Sequence, residues 1–245
     1  MADKLFFRTH LGLGDQIICN GLLRYLYQES KYKECIVPSY RRNVSSLKRM
    51  FSDLKNLVIL PVGDDSEADF WANRFRNENC DVVEVGITGP EIPIPPNIKG
   101  FDQIFYLQAR VQYENRWNLF HIPSDEKKQK ETLDIMNIRQ YNNGYVFVHD
   151  DASRELIIKS DKLPALPVVR PDHKLGRKSN ISIFDYKEVI AHASEIHCMD
   201  SSFAALIDHI PELKNKKKVI HRYLREENLN PYYLNNWIID EKNIY

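Results

Sequence analysis

The sequence predicts an α/β protein with two halves, each built on a parallel sheet covered by helices. Short apolar strands and amphipathic helices alternate with brief connections, which is the pattern of parallel sheets. The alternation occurs twice, and a change in composition separates the two runs. Pro123-Ser124 and Asn142-Asn143-Gly144 are the candidate boundaries, and we place the boundary at the first, between residues 1–123 and 124–245. A chain of 245 residues is long enough for two small domains, each with its own hydrophobic core.

Charge and cysteine content narrow the functional classes. The 34 basic and 34 acidic residues give a formal net charge of zero, which favours neither nucleic acid nor an anionic membrane as a partner. The four cysteines lie apart in apolar runs without metal-ligand spacing, which is typical of buried thiols in a reducing compartment. No apolar run approaches the roughly 20 residues that span a bilayer. We therefore expect a cytoplasmic protein without a transmembrane segment.

The first strand-turn-helix unit carries the most informative functional signal. We expect a strand over residues 4–9 and a helix from Asp15 to about Gln28, joined by a glycine-rich turn. In a parallel sheet this turn lies at the carboxyl end of its strand, where ligands bind. Gly12 and Gly14 leave room for a ligand, and Asp15 directs a carboxylate toward it.

Two other interpretations of this turn compete with a catalytic one. In the first, Asp15 is simply a helix cap with no role in catalysis. Gly12 and Gly14 also match the first two glycines of a dinucleotide-binding G-x-G-x-x-G pattern, but Ile17 occupies the third position. The third glycine lets the helix pack close to the strand, so its loss disfavours a nicotinamide or flavin site.

Further elements complete the first half. The pattern predicts strands over residues 34–37, 57–60 and 80–85, and helices over residues 43–51 and around Phe70–Phe75. Prolines and glycines in residues 86–100 predict a long loop, either an acceptor-side loop near the ligand edge or a plain connector. Aromatic residues then alternate with arginines over residues 101–117. Sugars stack on such rings, although core packing also explains aromatic clusters.

The second half repeats the alternation. A charged helix capped by Ser124 runs to Met136, and Asp185 with Glu188 is expected to form the capping box of a later helix. The remaining pattern predicts strands from Tyr145, over residues 155–159, 168–170 and 196–199, and at Val219-Ile220, with a helix after Asp200-Ser201-Ser202.

Two segments of the second half suit a nucleotide diphosphate. The backbone N–H groups from Ser201 to Phe203, with the hydroxyls of Ser201 and Ser202, can hold phosphate oxygens at the start of a helix that follows a buried strand. Asp200 opens this turn, and a simple serine cap is the alternative.

The other segment runs from His149 to Arg154 after another buried strand. Arg154 can neutralise a pyrophosphate through a bidentate contact, and His149 can donate a hydrogen bond to the same pyrophosphate. His197 is a further candidate for donor binding, although it can equally be a packing residue.

These features together suit transfer of a sugar from a nucleotide to an acceptor hydroxyl. The acceptor must lose a proton as it attacks the anomeric carbon, and Asp15 is the candidate base. Arg154 and the N–H groups near Ser201 can stabilise the leaving diphosphate without a divalent ion, so we expect no cofactor and no metal. Asp64-Asp65 and Asp150-Asp151 are the nearest acidic pairs, and Asp150-Asp151 is the alternative metal site.

These motifs resemble those of GT-B glycosyltransferases, most nearly the heptosyltransferase-like group. In that group a strand runs into a Gly-Asp turn and a helix, as in Leu13-Gly14-Asp15-Gln16-Ile17, and the aspartate serves as general base. The later Asp-Ser/Thr-Gly turn of the group corresponds to Asp200-Ser201-Ser202. The segment from Val146 to Arg154 is similar to the donor motif of fucosyltransferase relatives.

The resemblance implies two Rossmann-like domains that face each other across a cleft, the GT-B type. Residues 1–123 would form the acceptor-side domain and residues 124–245 the nucleotide-sugar donor domain. The expected donor is a UDP- or GDP-sugar, with Gly12 and Gly14 among the residues expected to contact it. The expected acceptor is a glycan or other hydroxyl compound contacted by His10, Arg110 and Trp117.

The sequence departs from the group at two positions. The proline that the group has six positions after the catalytic aspartate is Gly21 here, and the glycine after its Asp-Ser/Thr pair is Ser202. The sugar and the acceptor of that group therefore cannot be assigned to this chain. With one carboxylate base and no evident nucleophile, the sequence predicts an inverting glycosyltransferase. The alternatives are a nucleotide-sugar epimerase or hydrolase of the same fold and a non-catalytic glycan-binding module.

Overall fold

The structure of the chain is a computed structural model that describes residues 2–30, 32–87, 96–151, 154–171, 181–224 and 230–241. The chain divides into two compact units, Met1–Pro123 and Ser124–Tyr245. The boundary predicted from the sequence lies between the same two residues. Both units contain a parallel sheet with helices, so the predicted α/β class with two Rossmann-like halves is confirmed.

The first unit contains a parallel sheet with the strand order β3-β2-β1-β4. The strands are β1 (Lys4–Arg8), β2 (Glu34–Tyr40), β3 (Leu57–Val62) and β4 (Cys80–Glu84). β1 pairs with β2 on one side and with β4 on the other, and its residues Leu5, Phe6 and Phe7 are fully buried. The strand order therefore reverses direction at β1.

Helices flank this sheet. They are α1 (Leu13–Ile18), α2 (Asn20–Ser30), α3 (Val44–Met50), α4 (Asp65–Arg76), α5 (Phe101–Gln108) and α6 (Asn115–Asn118). The Trp71 and Phe75 side chains of α4 pack on a core of Phe6, Ile36 and Ala72. In the part of the chain that the structure describes, no helix combines the length and apolar character needed to cross a bilayer.

The prediction of one continuous helix from Asp15 to Gln28 is wrong, because a buried tyrosine interrupts it. The hydroxyl of Tyr106 donates to the carbonyl of Ile18 (2.9 Å) and accepts from the N–H of Leu22 (3.2 Å). A regular helix would join those two backbone groups directly. The first helix therefore ends at Ile18, and a second one begins at Asn20.

The first unit differs from the prediction in two smaller ways. β3 continues through Pro61 to Val62, past the predicted end at residue 60, because a proline is tolerated on an edge strand that needs no hydrogen-bond donor on one side. α1 begins at Leu13, so Asp15 is its third residue rather than its cap. Most of the predicted loop over residues 86–100 lies outside the described residues, which omit 88–95.

The second unit contains a parallel sheet with the order β6-β5-β7-β8-β9. The strands are β5 (Val146–His149), β6 (Val168–Val169), β7 (Glu195–Cys198), β8 (Lys217–His221) and β9 (Trp237–Asp240). The helices around it include α7 (Glu126–Ile135), α8 (Lys187–His192) and α9 (Ser202–Asp208). β5 lies between β6 and β7, so the strand order reverses at β5.

Local capping in the second unit differs from the prediction by a few residues. Asp125, not Ser124, caps α7 by accepting the N–H of Lys128 (3.0 Å). The capping box joins Ser182 with Asp185, because a short 3-10 turn precedes α8. Residues 155–159 form no strand, and Leu156 makes only an isolated bridge with Asp151.

The sequence pattern also missed β9. The buried carboxylate of Asp208 accepts hydrogen bonds from the backbone of Leu234 and Asn235 and from the indole Nε1 of Trp237 (3.1 Å). These contacts come from α9 and hold the segment against the sheet edge at β8. A short strand that is fixed by a distant aspartate leaves little signal in local periodicity.

The cysteines of the described chain are free thiols. Cys19, Cys35 and Cys198 are buried, and Cys80 is partly exposed. Burial raises the pKa of Cys35 to about 12, and it also raises the pKa of Cys80. The thiolate is the reactive form, so these side chains behave as packing residues at neutral pH.

A pair of histidines lies inside the second sheet. His197 on β7 and His221 on β8 are 2.9 Å apart between Nδ1 and Nε2 and are 3 % and 1 % exposed. His197 Nε2 also contacts Glu195 (3.2 Å), and His221 Nδ1 lies 3.5 Å from Asp240. The structure thus places His197 in a packed cluster of strand residues, and we leave it out of the proposed donor site.

Gly21→Ala should destabilise the first unit. A Cβ at Gly21 would lie 2.0 Å from the carbonyl oxygen of Asn115, which is a backbone atom of α6. Overpacking of this kind costs about 1–3 kcal/mol, and we expect a loss of at least about 2 kcal/mol in the free energy of unfolding. Urea denaturation followed by circular dichroism measures it.

Gly63→Ala is the matched control for this change. The nearest atom to a Cβ at Gly63 is the flexible carboxylate of Glu67, at 3.3 Å. We expect a loss below about 0.5 kcal/mol, as for other surface substitutions. Equal losses for the two variants would contradict the close approach of α2 and α6.

Acid should destabilise the second unit through His221. Burial lowers the pKa of His221 to about 4 from its ordinary 6.5, and the adjacent His197 adds to the shift. The unfolded chain therefore binds more protons between these two pH values, so the free energy of unfolding falls as the pH drops through this window. We expect a falling urea midpoint from pH 6.5 to pH 4, and a smaller fall in His221→Gln.

His192→Gln provides the comparison, because His192 is exposed on α8. Its urea midpoint should follow the same pH dependence as that of the parent chain. If His221→Gln did so too, the buried pair would not be the source of the acid sensitivity.

Candidate functional site

The edge at which the first sheet reverses its strand order contains a pocket of about 300 Å³. The segment after β1 contributes one wall, the segment after β4 a second, and α5 a third. In that order, the lining residues are His10 and Asp15, then Gly86 and Ile87, and then Phe101, Ile104, Phe105 and Gln108. Crevices at such reversal points are the usual ligand sites of open parallel sheets.

Asp15 reaches this pocket from the first turn of α1. Its side chain is partly exposed, and its Oδ2 would lie 2.8 Å from a Cβ added at Gly12. The carboxylate thus lies over the turn, at a place that a side chain at position 12 would fill. Gly12 is therefore required for the observed position of Asp15.

Two side-chain hydrogen bonds hold the segment around Asp15 against β2 and the residues that follow it. Gln16 donates from Nε2 to the carbonyl of Pro38 on β2 (3.3 Å), and Asn43 donates from Nδ2 to the carbonyl of Leu11 (3.2 Å). These bonds connect the turn after β1 to the end of β2. The carboxylate is consequently presented by a fixed turn rather than by a loose loop.

Gly86 lets the opposite wall approach. Its φ is +75°, a region that side chains disfavour, and its N–H donates to Oε1 of Gln108 (2.6 Å). A Cβ at Gly86 would lie 2.4 Å from the Phe105 ring and 2.9 Å from His10. Sequence reasoning named Gly86 only as the start of a loop, because a positive φ leaves no trace in composition.

The structure separates the three predicted acceptor residues. His10 is exposed and lines the pocket, with its ring centroid 6.0 Å from that of Phe105. Arg110 is exposed after the end of α5, and Trp117 packs on Tyr113 with ring centroids 5.1 Å apart. Neither Arg110 nor Trp117 is among the described residues that line the pocket.

The aromatic segment after residue 100 is divided between pocket and core. Phe101 and Phe105 face the pocket, whereas Arg116 is fully buried and paired with Asp102. The guanidinium of Arg116 also lies 4.8 Å from the centroid of the Trp117 ring. Core packing therefore explains the second part of this segment, as the alternative interpretation of the sequence allowed.

In the second unit, three of the predicted donor residues, His149, Ser201 and Phe203, meet where the strand order reverses. His149 ends β5, and its Nδ1 lies 2.9 Å from Oγ of Ser201, which caps α9 after β7. The imidazole also packs on Phe203, with ring centroids 4.5 Å apart. The Phe203 side chain is buried, while Ser201 and Ser202 are partly exposed. His149, Ser201 and Ser202 thus offer polar groups at this edge.

Asp200 opens the turn after β7, as predicted, and its side chain pairs with an arginine. Its carboxylate is buried and accepts from Arg222, with Nε to Oδ2 at 3.1 Å and Nη2 to Oδ1 at 3.4 Å. A carboxylate repels phosphate, so its direct contribution is to hold the guanidinium of Arg222. Sequence analysis missed Arg222, although it directly follows the buried strand β8 and so lies at the same edge of the sheet.

Arg154 lies in the segment that follows β5, the strand that ends at His149. Its side chain is 54 % exposed and pairs with Asp151 at 3.2 Å. Residues 152 and 153, between these two, lie outside the described residues. Arg154 is thus a solvent-facing cation, and its contact with a diphosphate stays a prediction.

The acidic pairs that suggested a metal site make other contacts. Asp64 caps α4, and Asp65 accepts from the hydroxyl of Tyr40 (3.1 Å). Asp150 pairs with Arg170 (2.7 Å) and accepts the N–H of Ile158. Within the described ranges, no group of three or more potential His, Cys, Asp or Glu ligands is arranged around a common point.

Comparisons with known proteins connect this chain to solved structures through its fold. No protein-family model matches the sequence, and no curated protein matches it. The crystal structure of the glycosyl transferase family 9 from Veillonella parvula DSM 2008 has a TM-score of 0.57 at 9 % identity. The match covers 98 % of this chain and 86 % of that one.

Two Escherichia coli structures show weaker likeness. One is heptosyltransferase WaaC with ADP-2-deoxy-2-fluoro heptose, at a TM-score of 0.45 and 11 % identity over 96 % of this chain and 92 % of that one. The other is ADP-heptose lps heptosyltransferase II, at 0.41 and 12 % over 89 % and 84 %. The likeness to the Veillonella structure is one of fold, and the GT-B fold expected from the sequence is confirmed.

Proposed function

We propose that this protein is a glycosyltransferase that moves a sugar from a nucleotide-sugar donor to the hydroxyl of an acceptor. The position of Asp15 carries the proposal. Its carboxylate lines a pocket where the first sheet reverses its strand order, in a chain with the fold of a glycosyl transferase family 9 structure. The Veillonella structure is that of a glycosyl transferase, which supports the same reaction class for this chain.

In the proposed reaction Asp15 acts as general base. The acceptor hydroxyl gives its proton to the carboxylate while its oxygen forms a bond to the anomeric carbon of the donor sugar. The bond from that carbon to the diphosphate breaks, and the electron pair leaves with the diphosphate. A single displacement of this kind inverts the anomeric centre, as proposed here, because the oxygen attacks from the side opposite the leaving group.

The second unit would bind the donor, a UDP- or GDP-sugar. His149 and the hydroxyls of Ser201 and Ser202 supply hydrogen-bonding groups at the edge where β5 and β7 end. The leaving diphosphate gathers negative charge in the transition state. Hydrogen-bonding groups that are already in position stabilise this charge without having to reorganise. Arg154, from the same segment as His149, would add positive charge without a metal ion.

Replacement of Asp15 by Asn should remove the base and keep the shape of the pocket. We expect the rate of sugar transfer to fall by about 10²- to 10⁴-fold, the usual contribution of a general base. Donor affinity should stay within about twofold, because the second unit binds the donor. Turnover measured by release of nucleoside diphosphate, with donor binding by calorimetry, tests both expectations.

Asp81→Asn is the matched control. Asp81 is exposed and pairs with Leu5 near the amino end of β1, away from the pocket edge. Its substitution should leave turnover unchanged. Full activity in Asp15→Asn would remove Asp15 from the mechanism.

His149→Phe should weaken donor binding. Phenylalanine preserves ring packing on Phe203 but lacks the ring nitrogens, so a donor phosphate would lose a partner worth about 1.4 kcal/mol. We expect the Kd for the nucleoside diphosphate to rise about tenfold in calorimetric titrations. His192→Phe, at an exposed position of α8, should leave the Kd unchanged. An unchanged Kd in His149→Phe would move the donor site elsewhere.

A panel of UDP- and GDP-sugars separates transfer from the competing activities. An epimerase or hydrolase consumes its donor without an acceptor, whereas a transferase depends on one. A binding module would bind its ligand without turnover, and Asp15→Asn would change no activity. Failure to bind or consume any nucleotide-sugar would contradict the proposed function.

A further inference from the structure

The pocket at Asp15 has an unusually apolar lining for a site that would receive a sugar. Four of its described lining residues are isoleucine or phenylalanine, and the described lining contains no lysine or arginine. Its polar side chains are those of Asp15, His10 and Gln108, and Oε1 of Gln108 already accepts the N–H of Gly86 (2.6 Å). Few polar groups are therefore left to receive hydroxyls.

This lining discriminates between classes of acceptor. A sugar ring brings several hydroxyls, and each one that is buried without a partner costs about 1–3 kcal/mol. An anionic acceptor would bring a second negative charge next to Asp15, without a lysine or arginine on the described walls to offset it. An apolar group, by contrast, gains about 25 cal/mol for each Å² of surface that it buries.

The rings on the walls favour a flat apolar group. Phe101 and Phe105 lie with their ring centroids 5.3 Å apart, and His10 lies 6.0 Å from Phe105. Ile104 lies between these two phenylalanines in the sequence of the same helix. It is partly exposed and also lines the pocket. Aromatic ligands pack on such rings in offset or edge-to-face arrangements.

We propose that the acceptor is an uncharged phenol, whose aromatic ring packs on α5 while its hydroxyl faces Asp15. This inference rests on the proposed function, since it names the acceptor class of the same site. The phenolic proton passes to the Asp15 carboxylate as the phenolic oxygen bonds to the anomeric carbon. A phenol has a pKa of about 10, well below that of an alkyl alcohol, so it suits a carboxylate base.

Binding of matched small molecules in the absence of donor tests the proposal. Methyl 4-hydroxybenzoate is the uncharged aryl probe, 4-hydroxybenzoate is its anionic counterpart, and methyl β-glucoside is a probe with several hydroxyls. We expect the ester to bind the parent protein at least about fivefold more tightly than the other two, by NMR titration at pH 7. Equal or reversed preference, or no binding of the ester, would overturn the proposal.

Ile104→Arg locates the preference in the pocket. It should weaken binding of the ester at least about fivefold and strengthen binding of the carboxylate. Leu107→Arg is the matched control, because Leu107 is 36 % exposed on the same helix and is not among the described lining residues. It should leave both affinities unchanged, and equal effects of the two arginines would overturn the proposal.

A neutral variant covers the case in which Ile104→Arg fails to fold. Ile104→Gln should weaken the ester about threefold or more while the thermal midpoint stays near that of the parent, and unchanged binding would count against the proposal. Because no donor is present, these results are independent of turnover. Sugar transfer to a glycan, together with no ester binding, would overturn this inference and leave the proposed function intact.

Discussion

The direction in which the chain leaves one strand of each sheet determines where ligands can bind. β1 has β2 on one side and β4 on the other, and β5 has β6 and β7. The connections therefore diverge at the carboxyl ends of β1 and β5, the usual place of a ligand crevice in such sheets, and the pocket at Asp15 lies at the end of β1. Asp15 follows β1, and His149 ends β5. Two residues predicted from separate motifs thus occupy the same topological position in two different sheets.

Glycines and buried polar contacts determine the shape of the first crevice. Gly12 and Gly86 admit the Asp15 carboxylate and the Phe105 ring at places where a Cβ would collide. Arg8, at the end of β1, is 2 % exposed and contacts Glu84 at the end of β4 (3.1 Å), which connects the two strands at the pocket edge. A buried arginine left without such a partner would be strongly destabilising. These glycines and the Arg8–Glu84 contact therefore determine the shape of the pocket.

The strands other than β9, and the Asp15 turn, could be predicted from sequence because their signals are local. A buried strand shows in a short apolar run, and a glycine-rich turn shows in its residue types. The insertion of Tyr106 into the first helix could not be predicted, because its partners lie more than 80 residues away. The pairing of Arg222 with Asp200 and the positive φ of Gly86 could not be predicted from local sequence either. Aromatic spacing likewise could not show that Phe105 faces the pocket and Trp117 does not.

Gly21 shows why the acceptor cannot be inferred from the heptosyltransferase-like group. The resemblance places a proline at this position, and a proline, like alanine, has a Cβ. In this chain that Cβ would lie 2.0 Å from the carbonyl oxygen of Asn115 in α6. The close packing of α2 on α6 therefore requires glycine, and the departure is structural rather than catalytic. Because α6 follows α5 after a short connection, the same packing constrains the helix that supplies Phe101, Ile104 and Phe105. The wall proposed to contact the acceptor thus depends on features of this sequence, whereas the proposed base depends on the glycine-rich turn before Asp15.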